Sequence, residues 1–102
     1  MASRLNELVP KSTLKALTEI TGEKRVDLAF SMTVKDVIEH RLEKVNEGIN
    51  KLEGKYRANF SNFKKLWRKR KDKFSYELEK DYIEWENLTT RKAKLKRAMK
   101  WL

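Results

Sequence analysis

The stretch IEHRLEKVNEGINKLEGKY, residues 38–56, decides the fold of this chain. Its large apolar side chains follow one another at steps of four and three residues, and they are Ile38, Leu42, Val45, Ile49, Leu52 and Tyr56. This spacing places all of them on one side of an α-helix, as in the seam of a coiled coil. It predicts a long helix over residues 33–56, which at 1.5 Å per residue is about 36 Å long. An apolar seam of that length needs an equally long neighbour.

Residues 75–102 supply that neighbour. Ser75 is suited to cap a helix, and apolar side chains follow it at helical spacing: Leu78, Tyr82, Trp85, Leu88, Leu95, Met99 and Leu102. Acidic residues come early in this segment and basic residues come late, which is the order that the helix dipole favours. We therefore predict an all-α fold, built as a long antiparallel helical hairpin or small helical bundle with coiled-coil character.

Two shorter segments complete the predicted single domain of residues 1–102. Residues 1–32 hold a short helix, which Ser12 would begin and Gly22 would end, followed by a connector. Residues 59–70 hold a short aromatic and basic helix.

The connector, residues 24–32, fits two patterns. Its larger apolar residues alternate as in a strand; they are Val26, Leu28, Phe30 and Met32. An overlapping set lies on one helical face; it is Val26, Ala29, Phe30, Val34 and Val37. Helix is favoured because no second strand pattern is present for pairing. Thr33 and Asp36 resemble a capping box, which would start the long helix at residue 33.

The composition excludes several classes of protein. The chain has no cysteine, so disulfides, zinc fingers and thiol chemistry are absent. No apolar stretch approaches the roughly 18 residues of a membrane helix. Residues 1–10 lack the pattern of a signal peptide. We therefore expect a cytoplasmic protein that does not enter a membrane.

The net charge of +10 is unevenly distributed. Residues 57–75 contain eight basic residues and one acidic residue, whereas residues 76–88 contain one basic and five acidic residues. Residues 89–102 contain six basic residues and no acidic residue. Alternating blocks of charge bear on the binding partners of a protein rather than on its fold.

Catalytic chemistry has almost no candidates in this sequence. The single histidine, His40, lies among charged residues beside the seam, where it is far more typical of a surface residue than of a general base. Glu77, Asp81 and Glu84 share a helical face, but the Glu-x-x-His pairs of di-metal bundles are missing. We predict a protein that is not an enzyme and that uses no metal or cofactor.

A dense basic run is the first candidate binding surface. Its members are Lys64, Lys65, Arg68, Lys69, Arg70, Lys71 and Lys73. Phe63, Leu66, Trp67 and Phe74 are interleaved with them. The run could bind a nucleic acid, with lysines on phosphates and aromatic rings on bases, or an acidic protein. It could also be the solvated face of a helix whose aromatic residues are core. A second basic patch, residues 91–100, would merge with the first or lie apart from it.

Tyr82, Ile83 and Trp85 form the second candidate, within acidic surroundings. Tyrosine and tryptophan are enriched at the energetic centres of protein interfaces. The same residues could simply be core of an amphipathic helix. Ile83 lies off the stripe of Tyr82 and Trp85, which indicates a second apolar surface on this helix.

The C-terminal two thirds of the chain resemble a known family. The shared features are Lys55-Tyr56, the string Asn59-Phe60-x-x-Phe63, and Ser75-Tyr76-Glu77-x-Glu79-x-Asp81-Tyr82-x-Glu84-Trp85-Glu86 before a closing leucine-containing helix. This arrangement resembles small antitoxin-type proteins of prokaryotic, especially archaeal, toxin–antitoxin modules. The similarity covers roughly residues 38–102, and the Asp-Tyr-x-Glu-Trp string is its most specific part.

The resemblance implies a non-enzymatic protein that binds and silences a toxin encoded beside it, commonly a ribonuclease or nucleotidyltransferase, and a complex that could bind operator DNA. It also implies that Asp81, Tyr82, Glu84 and Trp85 are structural or face the toxin. With Leu88 added from the apolar stripe, these residues are the predicted partner-binding set. In that hypothesis Tyr82, Trp85 and Leu88 lie along an apolar groove of the partner, while basic residues pair with carboxylates of the partner. We also expect a homodimer formed through the exposed seam. The alternative function is a basic helical protein that contacts the backbone of DNA or RNA.

Overall fold

The computed structural model describes residues 8–69 and 75–102, and within these residues the chain is all-α. Four helices lie wholly in the described part of the chain: α1 (Lys11–Thr21), α2 (Val26–Tyr56), α3 (Phe60–Lys69) and α4 (Tyr76–Lys100). No strand occurs in those two ranges. The molecule is elongated, with extents of 61 × 23 × 21 Å. The predicted fold class is confirmed.

Helices α2 and α4 form the antiparallel hairpin. Lys55 near the end of α2 bonds to Asp81 near the start of α4, and Gly48, seven residues earlier, lies against Leu88, seven residues later. The seam is buried by this pairing at heptad intervals, at Ile38, Val45 and Leu52. Helix α4 of the same chain packs along α2 and covers these positions, and the expected homodimer stays a prediction.

The long helix begins at Val26, seven residues before its predicted start at residue 33. Residues 26–32 are therefore helical, which confirms the preference for helix over strand in this segment. Thr33 does not cap a helix; its hydroxyl donates to the carbonyl oxygen of Ala29, one turn back, at 2.9 Å. Helix α1 packs against α2, and Ala29 is fully buried with a relative exposure of 0%. Packing against α1 explains why α2 begins at Val26, before the capping signal at Thr33.

The helix ends follow from local chemistry. Gly22 adopts the left-handed conformation (φ 69°) after α1, and its N–H donates to the carbonyl oxygen of Thr18. Asn59 and Ser75 accept backbone hydrogen bonds at the starts of α3 and α4, from the N–H groups of Asn62 (2.8 Å) and Leu78 (3.3 Å). Helix α1 begins one residue earlier than expected, at Lys11, so Ser12 is not its cap.

Candidate interaction surfaces

Trp85 is the centre of the hydrophobic core. It is 1% exposed and packs with Leu52 of α2 and Phe63 of α3. The ring centroids of Phe63 and Phe60 lie 5.0 and 5.4 Å from that of Trp85, at tilted angles that aromatic pairs favour. One tryptophan thus joins three helices.

Tyr82 docks α3 onto α4. Its ring lies 5.7 Å from the Phe60 ring and stacks on Trp67 with a centroid distance of 5.3 Å. Both Tyr82 and Trp67 are half-buried. The aromatic residues of α3 that could have stacked on nucleic-acid bases are therefore used, in Phe63 and Trp67, to hold this helix in place.

Asp81 is a charged residue inside the fold, only 7% exposed. Its carboxylate accepts hydrogen bonds from the Lys55 ammonium group at 2.7 Å and from the Tyr56 hydroxyl. Lys55 also donates to Glu77, at 2.5 Å. This group of four side chains clamps the end of α2 to the first turns of α4.

The clamp shifts the proton affinities of its members. Burial alone would raise the pKa of the Asp81 carboxyl, but the hydrogen bonds from Lys55 and Tyr56 outweigh burial and lower it. The hydrogen bonds to Asp81 and then to Glu77 raise the pKa of Lys55. Burial, followed by the hydrogen bond to Asp81, raises the pKa of Tyr56 to about 12. The ammonium, the hydroxyl and the carboxylate therefore all keep their bonding forms at neutral pH.

The predicted partner-binding set is mostly internal. Trp85 and Asp81 are buried, and Leu88 lies against Gly48, where an added Cβ would come within 2.9 Å of the Leu88 Cδ1 atom. Tyr82 is half-buried under α3, and only Glu84 is exposed. Trp85 cannot enter a groove of another protein because it fills the core of this one. The Asp-Tyr-x-Glu-Trp string thus builds the hairpin, which was one of the two roles that the sequence left open.

The outer face of α4 does carry exposed apolar side chains. Tyr76 is 82% exposed and Ile83 is 53% exposed. Together with Glu79 and Lys80 they line a shallow hollow of about 340 Å³ on the side of the helix away from α2. We call these four residues the outer strip. Ile83 was noted in the sequence as lying off the main stripe, whereas Tyr76 was not singled out as a binding residue.

The basic run is divided between surface and interior contacts. Lys64 is half-buried, with its ammonium group 5.2 Å from the centre of the Phe60 ring. Lys65, Arg68 and Lys69 are exposed, and Leu66 beside them is 60% exposed. The remaining members, Arg70, Lys71 and Lys73, lie outside the described residues.

The sequence did not predict that cations of α2 lie beside Arg91, a member of the second basic patch. Arg41 and Lys44 of α2 and Arg91 of α4 line one hollow, of about 260 Å³, whose apolar lining is Val45 and Leu88. We call it the interhelical basic hollow. The three-residue step from Arg41 to Lys44 places these two cations on one face of α2, and this much could be seen in the sequence. Which residue of α4 lies beside them depends on how α2 and α4 are aligned, and the sequence does not give that alignment.

The remaining candidates for chemistry do not assemble. His40 is exposed, in a shallow surface hollow with Asp36 and Thr33. Glu77 and Asp81 are engaged with Lys55, while Glu84 points to solvent. Across residues 8–69 and 75–102, no group of three or more histidine or acidic residues is placed to hold a metal ion.

Two further findings bear on function. None of the helices in the described part of the chain combines the length and the apolar character needed to cross a membrane. In comparisons with known proteins, the chain matches no family model, no curated protein and no solved structure.

Proposed function

We propose that this protein is a non-enzymatic binding module that uses the outer strip of α4 to bind a second protein. The observation that carries the proposal is the exposure of Tyr76 and Ile83 on the face of α4 opposite its packed stripe. The core does not need these side chains, because Leu78, Tyr82, Trp85 and Leu88 already fill the inward face.

The geometry of the strip suits an interface. Tyr76, Lys80 and Ile83 follow at steps of four and three, so they form one ridge that could enter a groove in a partner. Tyrosine offers a large apolar ring and a hydroxyl at little cost in conformational entropy, which is why interfaces favour it. Glu79, Glu84 and Glu86 are exposed carboxylates of the same helix that Lys55 does not pair. A partner with an apolar groove and a basic rim would complement this ridge.

The resemblance to antitoxin-type proteins supports a particular partner, a toxin encoded beside this chain. In this proposal Asp81 and Trp85 act structurally, since they hold α4 in the hairpin that displays the strip. Tyr76, Glu79 and Ile83 make the contact with the toxin, and Glu84 lies at its rim. Masking of the toxin would then be steric and would need no chemistry from this chain.

Co-expression with the product of the adjacent gene tests the proposal. We expect a complex on size exclusion with light scattering, and we expect the Tyr76→Ser/Ile83→Ser variant to lose it while keeping its helical circular dichroism. Leu66→Ser is the control, because Leu66 on α3 is 60% exposed, comparable to Ile83 at 53%, but lies outside the strip. Absence of a complex with the wild-type chain would reject the antitoxin-like function. Equal binding by wild type and the double variant would reject the outer strip as the contact.

A further inference from the structure

We infer that the interhelical basic hollow, formed by Arg41, Lys44 and Arg91, is a binding site for the phosphate backbone of a nucleic acid. The inference does not depend on the proposed protein-binding function, because the hollow and the outer strip involve different residues of α4.

The first argument is that nothing within the two helices explains the arginines. Carboxylates three or four residues away commonly balance cations on a helix. Arg41 has Val37, Ile38, Lys44 and Val45 at those positions, and Arg91 has Asn87, Leu88, Lys94 and Leu95. Within the described residues no carboxylate approaches either guanidinium group within 4.0 Å. Lys44 has one distant partner, Glu47 at 3.9 Å.

The helix dipole does not explain these residues either. Cations stabilise the C-terminal turn of a helix, and Arg97 and Lys100 occupy that turn in α4. Arg91 lies more than two turns before the end of α4, and Arg41 lies in the middle of α2. The dipole effect falls off within the last turn. The fold therefore brings two arginines together at a place where, within the described residues, neither an ion pair nor the helix dipole balances their charge.

The second argument is the shape and lining of the site. Val45 and Leu88 form an apolar lining beneath the three cations. A low-dielectric wall strengthens the field of charges that lie beside it, so an anion in the hollow would be attracted more strongly than at a flat, solvated surface. Guanidinium groups also bind phosphate with two parallel hydrogen bonds.

The third argument, which selects the class of ligand, is the basic C-terminal half of α4 that continues from the hollow. Residues 87–102 contain six basic residues and no acidic residue. Arg91, Lys94 and Arg97 are exposed and follow at three-residue steps. Because each such step turns by about 60° around the helix axis, these cations form a band that winds from the hollow around α4. An extended surface of one charge sign matches the uniform charge of a nucleic-acid backbone better than the mixed charges of a protein surface.

The test is a salt titration of binding to a short fluorescein-labelled DNA duplex of random sequence, followed by anisotropy. The variant Arg41→Gln/Arg91→Gln removes two cations of the hollow. Its matched control, Lys11→Gln/Lys15→Gln, removes the same charge from exposed lysines of α1. We expect the slope of log K against log salt to become shallower by about 2 in the first variant, because each phosphate contact contributes about 0.9. The control should keep the wild-type slope, and Arg41→Lys/Arg91→Lys should restore it.

Four outcomes would overturn the inference. The first is no binding by the wild-type chain at about 50 mM salt, where electrostatic binding is strong. The second is an equal effect of both double variants, which would show a response to net charge alone. The third is a loss of slope in Lys65→Gln/Arg68→Gln with none in Arg41→Gln/Arg91→Gln, which would move the site to α3. The fourth is displacement of the duplex by polyglutamate as effectively, per charge, as by unlabelled DNA, which would indicate an acidic protein partner.

Discussion

Asp81 shows how one buried carboxylate can link two helices. The group is nearly inaccessible to solvent, yet it remains charged because an ammonium group and a phenolic hydroxyl both donate to it. A buried charge is expensive unless it is paired and hydrogen-bonded, and here both conditions are met. Removing one partner therefore affects the fold more than the same change at the surface.

Replacing Asp81 with asparagine should destabilise the protein at neutral pH by about 1–3 kcal/mol, the range for hydrogen bonds to charged groups. The lowered pKa of Asp81 means that its stabilisation is present above the unfolded-state pKa, about 3.9, and is lost as the pH falls through the folded-state pKa. Urea unfolding between neutral and acidic pH should therefore show the wild type and Asp81→Asn converging in acid. Glu84→Gln, at an exposed carboxylate on the same helix, should change little at any pH. A gap that stays constant with pH would contradict the assignment.

At the scale of the element, the long helix α2 runs through two glycines, Gly48 and Gly54, and ends at Tyr56. The helix continues past Gly54, and the chain turns only at Arg57, which adopts the left-handed conformation with φ 51°. The two glycines differ in surroundings. A Cβ at Gly54 would meet no atom within 4 Å, whereas one at Gly48 would meet Leu88.

Gly54→Ala should stabilise the protein by about 0.5–1 kcal/mol, because alanine loses less conformational entropy than glycine in a helix. Gly48→Ala should gain less, since the Leu88 side chain must shift to admit the new methyl group, which would otherwise lie 2.9 Å from Cδ1. Urea unfolding of the two variants beside the wild type measures the difference. Equal gains would mean that the approach of α4 at Gly48 does not restrict the residue there.

The helices of the hairpin were predictable because apolar residues at steps of four and three all lie on one side of a helix. The steps of four and three from Ile38 to Tyr56 predicted α2, and the stripe after Ser75 predicted α4. The start of α2 at Val26 was not predictable from Thr33 and Asp36. A capping signal is local, whereas the extension depends on packing between α1 and α2.

The candidate sites were harder to predict than the helices. Trp85 has the residue type of both a core and an interface, so only the placement of α3 over it decides between them. The interhelical basic hollow depends on which turn of α4 lies beside Arg41 and Lys44. Both questions concern contacts between helices that are distant in sequence. The spacing of apolar residues within one helix does not indicate which residues of another helix lie beside it.

At the scale of the whole molecule, the main core lies at one end of the hairpin, where Phe63 of α3 packs with Leu52 and Trp85. Towards the other end the packing is thinner, and Val34 and Val37 of α2 remain partly exposed. Stability therefore depends strongly on a few residues near the clamp.

Trp85→Ala should cost about 3–5 kcal/mol, the range for removing a large aromatic side chain from a core. Since domains of this size have a net stability of only about 5–15 kcal/mol, the variant should lose a large part of its stability and unfold at a clearly lower temperature than the wild type by circular dichroism. Ile83→Ala, two residues away on the exposed face, should stay within about 0.5 kcal/mol of the wild type. Comparable losses in the two variants would contradict the placement of the core.

The elongated outline has a practical consequence for hydrodynamic measurements. The radius of gyration is 19.9 Å, whereas a compact chain of about 100 residues has a value near 13 Å. A rod displaces more solvent as it tumbles than a sphere of equal mass. A single copy will therefore leave a gel-filtration column early, at the position of a larger globular standard, and its elution volume alone would be mistaken for that of a pair.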